Sequence, residues 1–411
     1  MNVRLHHPEA GTSATVRVLH VSADFPDPIA PDKTRVIQNL LALTQDRFVH
    51  RVISLNRKSP DLAALLRGPA AAVPPAAVPF DWGEALTYEA PGRGLFHRSY
   101  LLRTADAIAE RIEGQLRPDL IVGHKLTVEG IVVQRLSAIT GVPFAITIQG
   151  NTDGKILAAR PDLAPVFRSI FRQAASVTAF APWALAQVAA RLGERTGPTA
   201  IVPCPTELDT PMPPRPGGQG LLSLFHLRGH ANKNLKGMAD ALRLLDARGT
   251  PQTLAICGGG SAQDAAAARH SAAAAPGLSF EGALSRDAVP ARMNAASAFV
   301  LPSFRESFGL VFIEALFAGL PIIYPQDRAV SGWFDDCPFA IPVPPRDTRA
   351  IADAMARAVR EERALKEALA AWQVSSDAQR FGRTAIARAY AEALEAALPC
   401  AADSERSERQ S

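Results

Sequence analysis

The stretch "SFRESFGLVFIEALFAGLPIIYP", residues 303–325, decides the fold. It also places two glutamates, Glu306 and Glu314, in a segment that is otherwise largely apolar. The apolar run "SAFVLPS" reads as a strand, "FRES" as a turn, and "FGLVFIEALFA" as a helix that Gly319 and Pro321 bring to an end. This order places Glu306 at the carboxyl end of the strand and Glu314 inside the helix. The neighbours of Glu314 three and four positions away are apolar, so its carboxylate must emerge on a buried or cleft-lining face.

A buried carboxylate needs a partner, because leaving it unpaired costs about several kcal/mol. Glu314 has no cation three or four positions away, and a ligand rich in hydroxyl groups would supply what is missing. The helix start at 307–310 offers unpaired backbone N–H groups that favour a phosphate, and Gly309 permits close approach. The alternative is a helix glutamate bonded to a distant arginine, with Glu306 in a solvated turn.

A second motif, "LFHLRGHANKNLKGMADALRLL" at 224–245, concentrates cations between a strand and a helix. Arg228, His230 and Lys233 lie in the loop, and Lys236 lies in the first helical turn. A helix amino terminus disfavours cations, so their presence indicates an anion held between them. Arg228 with Lys233 would form a clamp for a diphosphate, unless the loop is only an exposed basic turn.

A third motif, "LAICGGGSAQDA" at 254–265, takes a strand through three glycines into a helix. Gly258 and Gly259 would let the backbone approach a nucleotide, but the spacing is not that of a dinucleotide fingerprint. Tight packing explains the glycines equally well.

Short β-branched runs alternate with helical patterns along the whole chain, which predicts parallel sheets covered on both faces by helices. The predicted strands are 16–22, 49–55, 119–124, 143–149, 176–181, 199–203, 221–227, 253–257, 297–302 and 321–325. The predicted helices include 127–141, 234–247, 261–274, 285–295 and 308–318. The fold class is therefore α/β, with two doubly wound Rossmann-like domains facing each other across a ligand cleft.

The domain boundaries follow the composition along the chain. We expect an amino-terminal domain at 1–205, a Pro/Gly-rich linker at 206–219 and a carboxyl-terminal domain at 220–375. A final helix at 376–400 would pack back on the amino-terminal domain. A surface loop at 68–79 and a disordered tail at 401–411 complete the prediction.

Composition indicates a soluble globular chain: 411 residues, 47% hydrophobic and 20% charged, with a formal net charge of +4. Residues 1–205 carry 22 Lys and Arg against 17 Asp and Glu, a net charge of +5, whereas the rest of the chain has a net charge of −1. This basic half favours an anionic acceptor or a membrane surface, or, as the simpler interpretation, an ordinary solvated arginine-rich surface.

The cysteines Cys204, Cys257, Cys337 and Cys400 show no metal-ligand or redox spacing, which argues against a zinc site and against disulfides. The amino terminus lacks an apolar core of signal-peptide length, and no apolar run reaches the roughly 18 residues of a membrane span. We therefore expect a cytoplasmic protein, with a peripheral location on the inner membrane face as an alternative.

These motifs together resemble the family 4 retaining glycosyltransferases of the GT-B fold. The resemblance rests on Arg228 and Lys233 at the usual separation, "CGGG" after the next strand, "FEGALSRDAVPARMNAASAFVLPS" and the E-x7-E pattern "ESFGLVFIE". It is strong over about residues 220–360 and looser over residues 16–205.

The resemblance implies a role for each matched residue. Glu306 would contact the transferred sugar, Glu314 would bind the ribose hydroxyls, and Arg228 with Lys233 would hold the diphosphate. The remaining implied donor contacts are backbone groups of Ser307, Phe308, Gly309, Leu310, Gly258 and Gly259. No metal or other cofactor is expected, since cationic side chains would replace the metal and no D-x-D motif lies at the cleft strand ends.

The amino-terminal half departs from the family pattern at the reaction centre. "ITIQGNTDG" places Gln149 where the family often has a histidine, with Gly150, Asn151 and Asp153 as further candidate contacts to sugar or acceptor. His124 ends another strand and is either a cleft residue or a structural histidine. The first loop reads "FPDPIAPDKT" without the usual glycine pair, and the last cleft loop reads "PQDRAVSGWFDD".

The predicted function is transfer of a sugar from a nucleoside diphosphate donor to an acceptor hydroxyl on a sugar or lipid-linked sugar, without nucleic acid. Surface polysaccharide or glycoconjugate assembly is the setting that the resemblance implies. Two alternatives share the fold. A sugar-nucleotide epimerase would need acid and base carboxylates around the sugar, and a non-catalytic relative would bind the nucleotide sugar without turnover.

Overall fold

A computed structural model describes residues 16–60, 76–91, 96–113, 117–208 and 210–399. In the described residues of the amino-terminal half, one sheet has the strand order β3-β4-β2-β1-β5-β6-β7-β8. Its strands are β1 (Val16–Ser22), β2 (Phe48–Lys58), β3 (Ala76–Phe80), β4 (Gly83–Glu89), β5 (Leu120–Gly123), β6 (Phe144–Ile148), β7 (Ser176–Ala179) and β8 (Thr199–Ile201). Every pair in it is parallel except β3 with β4.

The carboxyl-terminal half forms a second, parallel sheet with the order β11-β10-β9-β12-β13-β14. Its strands are β9 (Leu221–Leu224), β10 (Leu254–Cys257), β11 (Leu278–Gly282), β12 (Ala298–Val300), β13 (Ile322–Pro325) and β14 (Ala340–Val343). Order reversal next to β9 in this sheet creates the kind of crevice in which doubly wound folds bind ligands.

Helices cover the sheets. Those between the amino-terminal strands are α1 (Val36–Ala42), α2 (His97–Glu113), α3 (Glu129–Thr140), α4 (Asn151–Ala159), α5 (Ala164–Gln173) and α6 (Pro182–Leu192). Those that follow are α7 (Leu235–Ala247), α8 (Ala262–Ala272), α9 (Val289–Asn294), α10 (Leu310–Phe317), α11 (Thr348–Arg360), α12 (Glu362–Gln373), α13 (Ser376–Gln379) and α14 (Arg383–Glu395). No helix within these ranges is long and apolar enough to cross a membrane.

The predicted fold class is confirmed, and the reason is visible in the burial of the strands. Every residue of β5, β6, β7, β10, β12 and β13 is buried, as expected for parallel strands covered on both faces. The opening stretch forms the predicted strand, turn and helix as β12, the loop 301–309 and α10. Helix α3 ends where predicted, because Gly141 adopts a left-handed φ of 70°.

Four strands escaped the sequence analysis: β3, β4, β11 and β14. The predicted surface loop 68–79 is wrong in part, since residues 76–79 belong to β3, while 68–75 lie outside the described residues. Strand β3 pairs only with β4 at the sheet edge, where Pro79 is tolerated because an edge strand needs fewer ladder donors. Its Ala/Pro-rich sequence carries little strand signal, so the pairing comes from tertiary context.

The connection between the domains contains no helix or strand at 206–219, leaving aside Asp209, which the structure does not describe. It runs along α10, where the Met212 N–H donates to the Phe317 carbonyl at 2.6 Å. Helix α14 returns to the amino-terminal sheet, and the Ser176 hydroxyl donates to the Ala393 carbonyl at 2.9 Å. The predicted disordered tail, 401–411, lies outside the described residues.

Candidate active site

The loops at the carboxyl ends of β9 and β12 bring Lys233 and Glu306 together. The Lys233 Nζ donates to Glu306 Oε2 in an ion pair across 73 positions of sequence. Both side chains keep some contact with solvent, at 24% and 17% exposure. The pair therefore lies at the cleft rather than inside the core, where a ligand can reach either charge.

Arg228 lies one turn before Lys233, on the 3-10 turn Leu227–Gly229 that continues β9. Its backbone N–H donates to the His226 ring, and its exposed guanidinium makes no hydrogen bond or ion pair with the described parts of the chain. The Lys233 N–H donates to the Gly229 carbonyl at 2.9 Å, which keeps the two cations on the same turn. An unpaired arginine beside a lysine at a strand end is suited to a bidentate anion such as a diphosphate.

The amino terminus of α10 is open. Gly309 precedes the helix with a left-handed φ of 75°, and a Cβ there would approach the Phe312 ring to 2.7 Å. The backbone N–H groups of Phe308, Gly309 and Leu310 have no hydrogen-bond partner among the described residues. They are free for a ligand oxygen, and the helix dipole favours a negative one.

Glu314 lies on the first turn and a half of α10 and is half-buried, as the sequence predicted. The Thr206 hydroxyl donates weakly to its Oε1, at 3.5 Å. Burial raises the pKa of Glu314, the Thr206 bond and the nearby Arg286 act against this, and Glu207 adds to it. Its carboxylate thus has one weak partner and can accept further hydroxyl groups.

The glycine loop after β10 is explained mostly by packing. A Cβ on Gly258 would lie 1.8 Å from the Phe225 carbonyl oxygen, so only glycine fits beside the end of β9. Gly259 has room, with Ala283 Cβ as the nearest atom at 3.6 Å. The amino terminus of α8 is already capped by Ser261 and Asp264, so its N–H groups are less available than those of α10.

The loop after β6 reaches the opposite domain. Gln149 is buried to 9% exposure, and Gly150 follows with a φ of 106°. With its amide oxygen turned toward the neighbouring loop, Asn151 accepts from the backbone N–H groups of Glu306 and Ser307, each at 3.0 Å. The structure therefore places the loop after β6 of the amino-terminal domain directly on the segment that contains Glu306 and Ser307.

Two predicted contacts, His124 and Asp153, are fully buried. The His124 Nε2 bonds His20 Nδ1 at 3.0 Å, and Asp153 Oδ1 accepts from the Thr127 N–H and hydroxyl at 2.9 and 2.8 Å. This structure does not support a direct acceptor contact by either side chain. Burial also lowers the pKa of His124 to about 3, with smaller effects of Lys125 and His50.

The sequence analysis missed a charge network at the carboxyl edge of the amino-terminal sheet. Lys125 Nζ lies 2.6 Å from Asp24 Oδ2 and 3.8 Å from Glu129 Oε1. Burial raises the pKa of Glu129 to about 7, against the opposing effect of Lys125. The four-residue separation of Lys125 and Glu129 after a predicted strand was the available signal.

Hydrogen bonds to Asp27 hold the loop after β1, which lacks the glycine pair that the family usually has. The Asp27 Oδ1 accepts from the Ile29 and Ala30 N–H groups at 2.8 Å, and its Oδ2 accepts from Lys33 Nζ at 2.7 Å. Burial of Asp27 alone would raise its pKa, but hydrogen bonds from Lys33, Ser54 and Asn56 bring it down to about 2. An ionised aspartate thus organises the segment that lacks the expected glycines.

Comparison with known families finds a match in the carboxyl-terminal half. Residues 217–372 match the family described as glycosyl transferases group 1. This range contains Arg228, Lys233, Glu306 and Glu314. No curated protein sequence matches the chain significantly.

Solved structures of similar fold cover nearly the whole chain at low sequence identity. Sucrose-phosphate synthase from Thermosynechococcus elongatus has a TM-score of 0.65 and 20% identity, covering 92% of this chain and 98% of its own. An alpha,alpha-trehalose-phosphate synthase (UDP-forming) from Burkholderia xenovorans, in complex with glucose-6-phosphate, has a TM-score of 0.63 and 12% identity, covering 92% of this chain and 100% of its own. An alpha,alpha-trehalose 6-phosphate synthase from Burkholderia multivorans has a TM-score of 0.64 and 13% identity, covering 97% of this chain and 99% of its own. These likenesses show the GT-B fold for both domains.

Proposed function

We propose that the protein is a retaining glycosyltransferase that moves a sugar from a nucleoside diphosphate sugar to an acceptor hydroxyl. The observation that carries the proposal is the Lys233–Glu306 ion pair at the cleft, beside the unpaired Arg228 and the open amino terminus of α10. All of these lie in the range that matches the group 1 family.

Each part of a nucleotide sugar has a partner of suitable chemistry in this arrangement. Arg228 and Lys233 would hold the diphosphate, together with the N–H groups at the start of α10. Glu314, whose carboxylate has one weak bond to Thr206, would accept the ribose hydroxyls. Glu306 would then contact the transferred sugar, released from or shared with Lys233.

In the proposed reaction, the bond between the anomeric carbon and the diphosphate oxygen breaks, and its electron pair stays with the diphosphate. The acceptor hydroxyl oxygen forms the new bond on the same face, and its proton passes to the departing phosphate. Negative charge therefore grows on the phosphate while positive charge grows on the anomeric carbon. Preorganised cations and backbone N–H groups stabilise the first, and the Glu306 carboxylate stabilises the second.

Such cationic stabilisation requires no metal, and we propose that turnover is metal-independent. We place the acceptor on the amino-terminal side, near Gln149 and Asn151, and propose a sugar or lipid-linked sugar acceptor in glycoconjugate assembly. The solved structures of similar fold are sucrose-phosphate and trehalose-phosphate synthases, which supports a sugar acceptor in general. The polysaccharide setting remains a prediction from the family resemblance, and a contact with the membrane remains a prediction from the basic charge of residues 1–205.

The proposal is tested by incubating the purified chain with UDP-, GDP- and ADP-sugars, with and without a panel of sugar acceptors. We expect an acceptor-dependent product whose anomeric configuration by NMR equals that of the donor, and full turnover in EDTA. An inverted product, or complete loss in EDTA that added metal restores, would refute the corresponding part. Epimerised donor without acceptor would favour an epimerase, and binding without turnover a non-catalytic relative.

A further inference from the structure

Two tryptophans make reciprocal hydrogen bonds across the domain boundary. The indole N–H of Trp183, at the start of α6, donates to the Ala329 carbonyl at 2.9 Å. The indole N–H of Trp333, from the opposite domain, donates to the Phe180 carbonyl at 3.2 Å. Both bonds join an indole N–H to a backbone carbonyl, one in each direction across the boundary. They differ in what the residue of the acceptor carbonyl contacts.

The Trp183 bond leads to Glu306. Ala329 accepts from Trp183 through its carbonyl and donates through its N–H to the Glu306 carbonyl at 3.1 Å. Its φ of 53° lies in the left-handed region that alanine disfavours. Bonds to both of its backbone groups offset that strain, so this conformation depends on contact with the amino-terminal domain.

Asn151 also bonds the backbone of Glu306, at its N–H group. Its amide oxygen accepts from the N–H groups of Glu306 and Ser307, so the Glu306 backbone is bonded through both its N–H and its carbonyl. One bond comes from the amino-terminal domain directly, and the other comes from it through Ala329.

Trp183 also supports the loop that carries Asn151. A Cβ on Gly150 would lie 2.4 Å from Cη2 of the Trp183 indole, so the ring lies against the Gly150 backbone. One side chain thus fixes the reaction-centre loop of the amino-terminal domain and the Ala329 carbonyl of the other domain.

We propose that Trp183 and Asn151 are positioning residues that hold the Glu306 segment in place only while the two domains are in contact. The inference rests on the proposed function, in which Glu306 contacts the transferred sugar. In this account the donor carboxylate is aligned by the domain that binds the acceptor. In the proposed function, nucleotide binding uses Arg228, Glu314 and the N–H groups of residues 308–310, none of which bonds Trp183 or Asn151, so we expect it to change little.

The chain offers a matched control in Trp333. Trp333→Phe removes an indole-to-carbonyl bond across the same boundary, but the Phe180 carbonyl has no bond to the Glu306 segment. Trp183→Phe removes the bond to Ala329 and keeps an aromatic ring beside Gly150. A merely structural role for the boundary would make the two variants behave alike.

Hydrogen exchange gives a readout that needs no activity. In the unliganded full-length chain, we expect the backbone N–H groups of Glu306 and Ser307, both bonded to Asn151, to exchange about fivefold faster in Trp183→Phe and Asn151→Ala than in the parent. Trp333→Phe should leave this segment within about twofold. Equal exchange in Trp183→Phe and Trp333→Phe, or no change in Trp183→Phe, would overturn the coupling whatever the activity.

Kinetics supply the second arm. Trp183→Phe should lower kcat about tenfold with the Kd for nucleoside diphosphate within about twofold of the parent, and Trp333→Phe should keep kcat within about twofold. Asn151→Asp, which retains an acceptor oxygen, should lose less kcat than Asn151→Ala. If the parent turns over no donor but the exchange pattern holds, the proposed function fails and the coupling stands.

Discussion

Carboxylates lie near the carboxyl ends of the strands in both sheets, but the two groups differ in burial and in hydrogen bonding. In the carboxyl-terminal domain, Glu306 and Glu314 are half-buried and their loops leave cations and N–H groups open. In the amino-terminal domain, Glu129 and Asp153 are fully buried and bonded to groups of the same domain. The same edge of the same fold class thus holds a ligand-ready site on one side and an internal charge network on the other.

This difference teaches that position in the fold does not by itself assign a role to a carboxylate. A carboxylate that keeps solvent contact can gain a ligand hydroxyl, whereas a fully buried one can be reached only by groups of the protein itself. We therefore expect substitutions on the two sides to change different quantities. Binding and turnover should change on the carboxyl-terminal side, and pH-dependent stability on the amino-terminal side.

The largest effect is expected at Glu306. Glu306→Gln keeps the size and the bonded backbone but removes the negative charge that faces the anomeric carbon in the proposed reaction, so kcat should fall about 100-fold or more. Nucleoside diphosphate affinity should stay within a few-fold of the parent. Steady-state kinetics with calorimetry for the nucleotide measure both, and normal turnover in this variant would remove Glu306 from the reaction.

The second-largest effect is expected at Arg228, in a comparison with the surface residue Lys236. Arg228→Ala should weaken nucleoside diphosphate binding about 30-fold, because a charge-assisted phosphate contact is lost. Lys236→Ala is the matched control, since Lys236 is exposed and paired with Asp240 at 2.6 Å. It should change the Kd by less than about twofold, and equal losses in the two variants would point to a diffuse basic surface instead of a clamp.

A smaller loss of binding is expected at Glu314. Glu314→Gln removes a charged acceptor from the ribose hydroxyls in ground and transition state alike, so the donor KM and the nucleotide Kd should both rise about tenfold with kcat little changed. Glu207→Gln, a nearby exposed carboxylate, serves as the control. A Glu314→Gln chain that binds nucleotide as tightly as the parent would contradict the ribose assignment.

On the amino-terminal side, the smallest effect concerns stability in acid. His20 bonds both His124 and His50, at 3.0 and 2.9 Å, and burial lowers the pKa of His50 to about 4. Between that value and the ordinary pKa of 6.5, the unfolded chain binds a proton that the folded chain does not. The free energy of unfolding should therefore fall as the pH drops below 6.5.

His50→Gln tests that linkage. Each such histidine contributes up to about 1.4 kcal/mol per pH unit to the slope, so removing one should flatten it by that amount at pH 5. Denaturant unfolding at pH 5 and at pH 7.5, where neither state of the histidine binds a proton, gives the comparison. An unchanged slope would mean that His50 is protonated alike in both states.

Much of the carboxyl-terminal site could be predicted because its signal is local. Glu306, Gly309 and Glu314 lie within one strand, turn and helix, where spacing alone fixes the relative placement. Even there, the sequence could not show that Lys233 pairs with Glu306, since the two residues lie on different loops.

The amino-terminal side was less predictable because its network is assembled from separate segments. Asp24 and Lys125 follow two different strands, β1 and β5, and the sheet order brings them together. The bond from Trp183 to Ala329 joins residues 146 positions apart through a backbone carbonyl, which no side-chain pattern reveals. Local spacing therefore predicts a motif, and topology decides what the motif touches.

The most direct test of the account is calorimetric titration of the chain with UDP, GDP and ADP, backed by thermal shift. We predict that one of them binds and raises the melting temperature by several degrees at about 100 times its Kd. Arg228→Ala and Glu314→Gln should weaken that binding, and Glu306→Gln should retain it. No binding of any nucleotide, or undiminished binding in both Arg228→Ala and Glu314→Gln, would contradict the claim that this edge of the carboxyl-terminal sheet is the donor site.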